Sequence, residues 1–190
     1  KIVKILRKIY PEVNKNYNNK ATDKLNEKIR IGFISEFFSN HTICKLFKGI
    51  IFNLDKNKFE PFVFHSHKTE KTPIFEEFIN HEIKSDLRNI VLSKNFKKNI
   101  EEIQRTNLDI VFFPDIGMSS EFYYLSFIRF AKIQITSWGH PITTSNDSID
   151  YFLSSKLLET KDAHKRFSEK LILSDYLPMY FYKPKIKNIL

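Results

Sequence analysis

The chain has 190 residues, enough for one good-sized core or for a domain with an extension. Hydrophobic residues make up 42% and aromatic residues 15%, which excludes a disordered composition. A formal charge of +9 suits an anionic partner such as nucleic acid, but the lysines are scattered among asparagine, isoleucine and phenylalanine, which favours a compositional bias over a dedicated basic patch.

The single cysteine, Cys44, rules out an internal disulfide framework and a cysteine-type zinc site. No run approaches the roughly 20 apolar residues that cross a bilayer, and no secretion signal is recognisable. The expected location is therefore the cytoplasm, with no membrane partner. The first residue is lysine, which fits a piece of a longer protein.

Taken in order, "KIVKILRKIYPE" spaces Ile2, Ile5, Leu6 and Ile9 as a helix does, and Pro11 ends the pattern. Residues 13–28 are polar and rich in Asn and Lys, and read as a linker. Residues 1–28 are thus expected to form a helical extension and linker, with a separate domain over 29–190. Within it, strands are predicted at 29–35, 59–65, 86–92, 109–115, 132–137, 149–155 and 169–175. Helices are predicted at 42–54, 73–83, 95–107 and 119–131, with a short one near 161–167. Pro61 suggests an edge or early position for its strand, and Pro73 a helix start. Such alternation predicts an α/β fold: a Rossmann-like, mostly parallel sheet with helices on both faces.

In such a sheet, ligands bind at the carboxyl ends of the strands. Three loops there carry unusual residues: "SEFFSNHT" (35–42), "PDIGMSS" (114–120) and "SWGHPITTS" (137–145). They would bring His41, Asp115 and His140 towards one another. His41 reads either as a solvent-facing helix-start residue or as a general base or donor that titrates near neutral pH. Asp115 reads as a cap of the following helix or as a site residue. Trp138-Gly139-His140-Pro141 reads as a tight structural turn over a buried tryptophan, or as backbone shaped to approach a ligand, with the Thr143 and Thr144 hydroxyls nearby. There is no GxGxxG, no P-loop and no G-x-S-x-G elbow. His65 and His67, two apart with no third ligand, do not make a metal site.

Together, "IRIGFISEFFSNHTICKLFKGII", "FEPFVFH", "LDIVFFPDIGMSS", "AKIQITSWGHPITTSNDSIDYFLSS" and "FSEKLILSD" resemble the O-GlcNAc transferase family, glycosyltransferase family 41, in its bacterial, repeat-associated branch. The resemblance runs from about Ile29 to about Pro178. It implies the N-terminal half of a two-domain GT-B enzyme, with 1–28 as the end of TPR-type repeats. The implied activity is inverting transfer of a sugar such as GlcNAc from a UDP-sugar to protein side chains, with no cofactor and no metal. The implied partners are the UDP-sugar donor, a protein acceptor and a C-terminal Rossmann-like half that these residues do not contain. The resemblance places His41 as the catalytic or donor-positioning residue, and Gly139, His140, Pro141 and Thr143 on the sugar-acceptor side of the cleft. Thr144 joins that turn as a further substrate-binding residue. It sets Asp115 and Gly117 in the loop after the preceding strand. Ser145 stands where glycine is common, and Asp147 where proline is. The alternative reading is a non-catalytic basic module that binds nucleic acid or an acidic protein; a third is a degenerate half-domain kept as a scaffold.

Overall fold

A computed structural model describes residues 28–69 and 72–183, together with Ile5, Lys8 and Ile9. The expected N-terminal helix and linker lie almost wholly outside the described residues. The strands are β1 (Ile29–Ile34), β2 (Phe59–Ser66), β3 (Arg88–Leu92), β4 (Ile110–Phe113), β5 (Ile133–Ser137), β6 (Tyr151–Ser155) and β7 (Lys170–Ser174). The helices are α1 (Thr42–Phe52), α2 (Pro73–Ile83), α3 (Phe96–Arg105) and α4 (Ser120–Ser126), and a 3-10 turn covers Ala163–Arg166. All seven strands pair in parallel, in the order β3-β2-β1-β4-β5-β6-β7. The fold is the expected Rossmann-like α/β sheet.

Strand alternation divides the core in two. Ile31 and Phe33 of β1, Val63 of β2 and Phe112 of β4 join Ile43, Phe47 and Ile51 of α1 and Phe78 of α2. Ile34, Phe62, Phe64, Val111 and Phe113 join Ile100 and Ile103 of α3 and Phe122 and Leu125 of α4 on the other face. Residues of both parities are apolar in β4 and in the inner parts of β1 and β2, as strands covered on two sides require. Each helix starts on a side-chain cap: His41, Thr72, Asn95 and Ser119 accept from the amides of Ile43, Phe75, Lys98 and Phe122.

Two expectations change and one is narrowed. The helix predicted over 119–131 ends at Ser126, because Asn146 Nδ2 takes up the Ser126 carbonyl at 3.1 Å and its hydroxyl at 2.9 Å. Of the two placements Pro61 allowed, an edge or an early position, the structure shows the second, in a strand β2 that lies inside the sheet. Pro61 is tolerated because pairing with β3 begins only at Phe62 opposite Arg88, so its missing amide hydrogen costs no bond on that side. Trp138 is half-buried rather than a buried core ring. After β7 the chain returns across α1, where the Tyr180 amide donates to Leu46 O (2.9 Å) and Asn53 donates to the Tyr182 hydroxyl (3.1 Å).

Candidate active site

The strand order reverses between β1 and β4: β1 leads outward to β2, and β4 leads the other way to β5. The connections leaving their carboxyl ends therefore run in opposite directions, and the crevice where doubly wound sheets bind ligands lies between them. The loops after β1, β4 and β5 meet there, joined by a backbone bond between the β4 and β5 loops and by the side-chain bond from Ser119 to Glu36. The Gly139 amide donates to Pro114 O at 2.9 Å. A Cβ at Gly139 would stand 2.1 Å from that oxygen and 2.7 Å from Ile43 Cδ1, so only glycine lets the β5 loop lie this close to the β4 turn and to α1. Gly117 has φ +100°, a conformation L side chains rarely adopt, and a Cβ there would lie 3.2 Å from the His140 ring. His140 is thus seated directly over the β4 turn.

His41 caps α1 with its ring. Nδ1 accepts the Ile43 amide proton at 3.2 Å, and the ring stacks on Phe37 with centroids 4.5 Å apart. That hydrogen bond assigns the neutral tautomer: with its Nδ1 lone pair engaged, the proton sits on Nε2, so the ring can donate onward.

Around the β1 and β4 ends lies a polar cluster. Glu36 accepts from Lys68 Nζ (2.5 Å) and from the Ser119 hydroxyl. Burial works to raise the Glu36 carboxyl, but these two bonds and the lysine charge hold it below its ordinary value. Asp115 is 5% exposed and bonded to Ser35, while its Oδ2 has no partner. Burial pushes Asp115 up to about 7, the Ser35 bond works against this, and the Glu36 charge adds to it.

The rest of the β5 loop is anchored away from the crevice. Thr143 Oγ1 donates to Glu169 at 2.8 Å, the Thr144 amide donates to Glu169 at 2.7 Å, and the Thr144 hydroxyl bonds the same carboxylate. Burial works to raise Glu169, and these donors hold it low. Pro141 is exposed at the rim. Trp138 leans towards β6: its Nε1 donates to Ser154 (2.8 Å), Ser154 donates to Glu159 (2.8 Å), and Arg166 pairs with Glu159 (3.2 Å). Ser145 sits at φ 50°, a conformation that glycine adopts freely.

Of the residues singled out in the sequence, His41, Asp115, Gly139 and His140 belong to the three loops that meet at the crevice. Pro141 lies at its margin, and the hydroxyls of Thr143 and Thr144 are engaged by Glu169. Sequence reasoning missed Ser35, Glu36, Lys68 and Ser119 as a linked group. Ser35 and Glu36 were at least legible inside the loop "SEFFSNHT"; nothing marked Lys68. Among the described residues, no group of three His, Cys, Asp or Glu could hold a metal, and no helix is long and apolar enough to cross a membrane.

A doubly wound parallel sheet with polar side chains gathered at its switch point defines a Rossmann-type α/β domain. The model of glycosyl transferase family 41 matches residues 3–189, and the chain belongs to that family. Among solved structures, a mutant of the O-GlcNAc transferase of Thermobaculum terrenum is similar over 81% of this chain, with a TM-score of 0.71 and 17% identity. At that identity the likeness carries the fold. This chain spans 29% of the length of that relative. No curated protein matches the chain.

Proposed function

We propose that this chain is the N-terminal Rossmann-like half of the catalytic region of an inverting, UDP-sugar-dependent protein glycosyltransferase of the O-GlcNAc transferase type. The observation that carries the reading is the position of His41, on the loop leaving β1 at the switch point of a family 41 domain. Inverting transfer requires the acceptor side chain to lose a proton while the nucleoside diphosphate departs with the bonding electron pair. As long as Nδ1 caps α1, His41 acts as a donor through Nε2, towards the sugar or the departing diphosphate, rather than as the base. Gly139 and the Gly117–His140 contact bring backbone and a ring against the sugar-acceptor side, and Pro141 with Thr143 and Thr144 shapes the rim of that side. The remaining donor contacts come from the C-terminal half, so these 190 residues alone bind donor incompletely and do not turn over. Protein acceptor and cytoplasmic location belong to the same proposal.

The test is made in the full-length protein. His41→Ala is expected to lower transfer by about 10²–10⁴-fold and stability by about 1 kcal/mol, the cost of a lost N-cap. His41→Asn supplies a good capping oxygen, so the denaturant midpoint should return while the rate stays low. If Asn restores the rate along with the stability, the ring is only a cap and the donor role fails.

A further inference from the structure

A crossover between parallel strands is usually a helix, whose own bonds fix its shape. The crossover from β5 to β6, residues 138–150, is not helical. A buried acid from elsewhere in the chain fixes it instead. Glu169, the residue before β7, accepts the Thr143 hydroxyl (2.8 Å) on one oxygen and both the Thr144 amide (2.7 Å) and the Thr144 hydroxyl on the other. Hydrogen bonds to a carboxylate are roughly twice as strong as those between neutral groups. The next stretch is tied to a different element. Thr144 Oγ1 accepts the Asn146 amide (3.2 Å), and the buried Asn146 side chain bonds Ser126 at the end of α4. Between these ties Ser145 is held at φ 50°, which a residue with a Cβ keeps only where its surroundings impose it. Towards the crevice, the Ile142 amide donates to His140 O (2.9 Å), so one tight turn separates Thr143 from the His140 ring that rests against Gly117.

Resting on the transferase reading above, we propose that Glu169 is a positioning residue of the site: its carboxylate clamps Thr143 and Thr144 and so keeps His140 seated at the crevice. The first half of the turn has its own ties, from Trp138 to Ser154 (2.8 Å) and from Gly139 to Pro114 (2.9 Å). The second half, His140 to Ile142, takes its place from Thr143 onward. Thr143 and Thr144 then serve the sugar-acceptor side through the loop they anchor, since Glu169 already engages their hydroxyls.

Three variants test the proposal. Glu169→Ala removes the clamp. Glu169→Gln keeps its shape and an oxygen for Thr144. Ile103→Val loosens the core under α3 without touching the loop. The first readout needs no activity: in the 190-residue chain, the NOE between the Gly117 Hα and the His140 ring Hδ2 reports whether the ring is seated. It should be lost in Glu169→Ala and kept in Glu169→Gln and Ile103→Val. The second readout is transfer by the full-length protein. Glu169→Ala should be slower by about 10²-fold, the scale of a roughly 1 Å misplacement in a site; Glu169→Gln should recover most of that rate, and Ile103→Val should keep it. A folded Glu169→Ala chain with the NOE at wild-type intensity overturns the proposal. So does loss of the NOE in Ile103→Val, because any loosening would then unseat the ring. Should Glu169→Ala not fold, Thr144→Val takes its place: it removes one donor to Glu169 and the acceptor of the Asn146 amide, and should weaken the NOE, while an unchanged NOE overturns the proposal. If the wild-type full-length protein transfers no sugar, the transferase reading fails, and the NOE alone decides whether Glu169 seats His140.

Discussion

The two edges of the sheet handle their polar groups differently. At the amino edge, the acids have partners. Asp109 accepts the Arg30 amide (2.8 Å), Glu60 is shared by Arg30 (3.2 Å) and Arg88 (2.9 Å), Lys28 pairs with Asp86, and Asp150 takes Arg129 (2.6 Å) and the Gln134 amide (2.8 Å). A groove of about 460 Å³ opens there, lined by Lys28, Glu60, Glu82 and Arg88. Its charges already satisfy one another, so its size is not a reason to place the chemistry in it. At the carboxyl edge, three buried polar atoms among the described residues have no partner: His65 Nδ1, Thr69 Oγ1 and Asp115 Oδ2. Unsatisfied buried groups cost stability and are rare in folded chains. Their concentration at and beyond the carboxyl ends of β2 and β4 separates an edge shaped for holding the fold from one shaped for ligand.

The largest expected effect comes from closing the carboxyl edge with one carbon. Gly139→Ala sets a Cβ against the Pro114 carbonyl, which is backbone and cannot rotate away, and against Ile43 at the start of α1. The loops after β4 and β5 must separate, and about 3 kcal/mol of stability should be lost, the upper end for overpacking. Urea unfolding measures it. A loss below about 1 kcal/mol, no more than ordinary overpacking costs, would mean that the three loops are not held in the close approach on which the site depends.

An effect of similar size, confined to acid pH, tests whether an orphan on this edge behaves as one. His65 is fully buried among Phe38, Phe75 and Phe78, with Nε2 on Asn89 at 2.9 Å. Burial pushes it down to about 4, and the Asn89 bond works against this. The unfolded chain therefore takes up this proton first. The stability His65 provides is complete above about pH 6.5 and is lost as pH falls through about 4, by about 3 kcal/mol. His65→Phe removes this dependence. If the two chains lose stability in parallel on acidification, the ring is not held neutral by its surroundings.

The sequence carries the sheet more clearly than it carries the site, for a physical reason. Apolar runs such as "DIVFF" and the i, i+3 spacing of Ile100 and Ile103 are local signals, and they mark the strands and helices to within a few residues. His41, Asp115 and the Trp138–Pro141 turn stand out because special residues crowd the ends of strands. What joins them does not stand out. Glu36 meets Ser119 across 83 positions, and Thr144 meets Glu169 across 25. Serine, glutamate and lysine at those distances carry no period and no motif. The early end of α4 was hidden in the same way, since the Asn146 side chain that stops it comes from the loop after β5.

The smallest effect belongs to the amino edge and checks that its ion pairs only decorate a fold held elsewhere. Arg88 bonds Glu60 at 2.9 Å and stands 5.9 Å over the Phe62 ring, but its side chain is 64% exposed. Removing it leaves Glu60 paired with Arg30, so no buried charge is stranded. Exposed pairs of this kind contribute roughly 0.2–1 kcal/mol, and salt screens them. Arg88→Ala should therefore cost about 0.5 kcal/mol at low ionic strength and less in about 0.5 M salt, with transfer by the full-length protein unchanged. Urea midpoints at two salt concentrations decide it. A loss above about 1.5 kcal/mol that salt does not reduce would exceed what an exposed pair supplies. The amino edge would then hold a tightly coupled charge network, and the contrast between a satisfied edge and a poised one would have to be drawn on geometry alone.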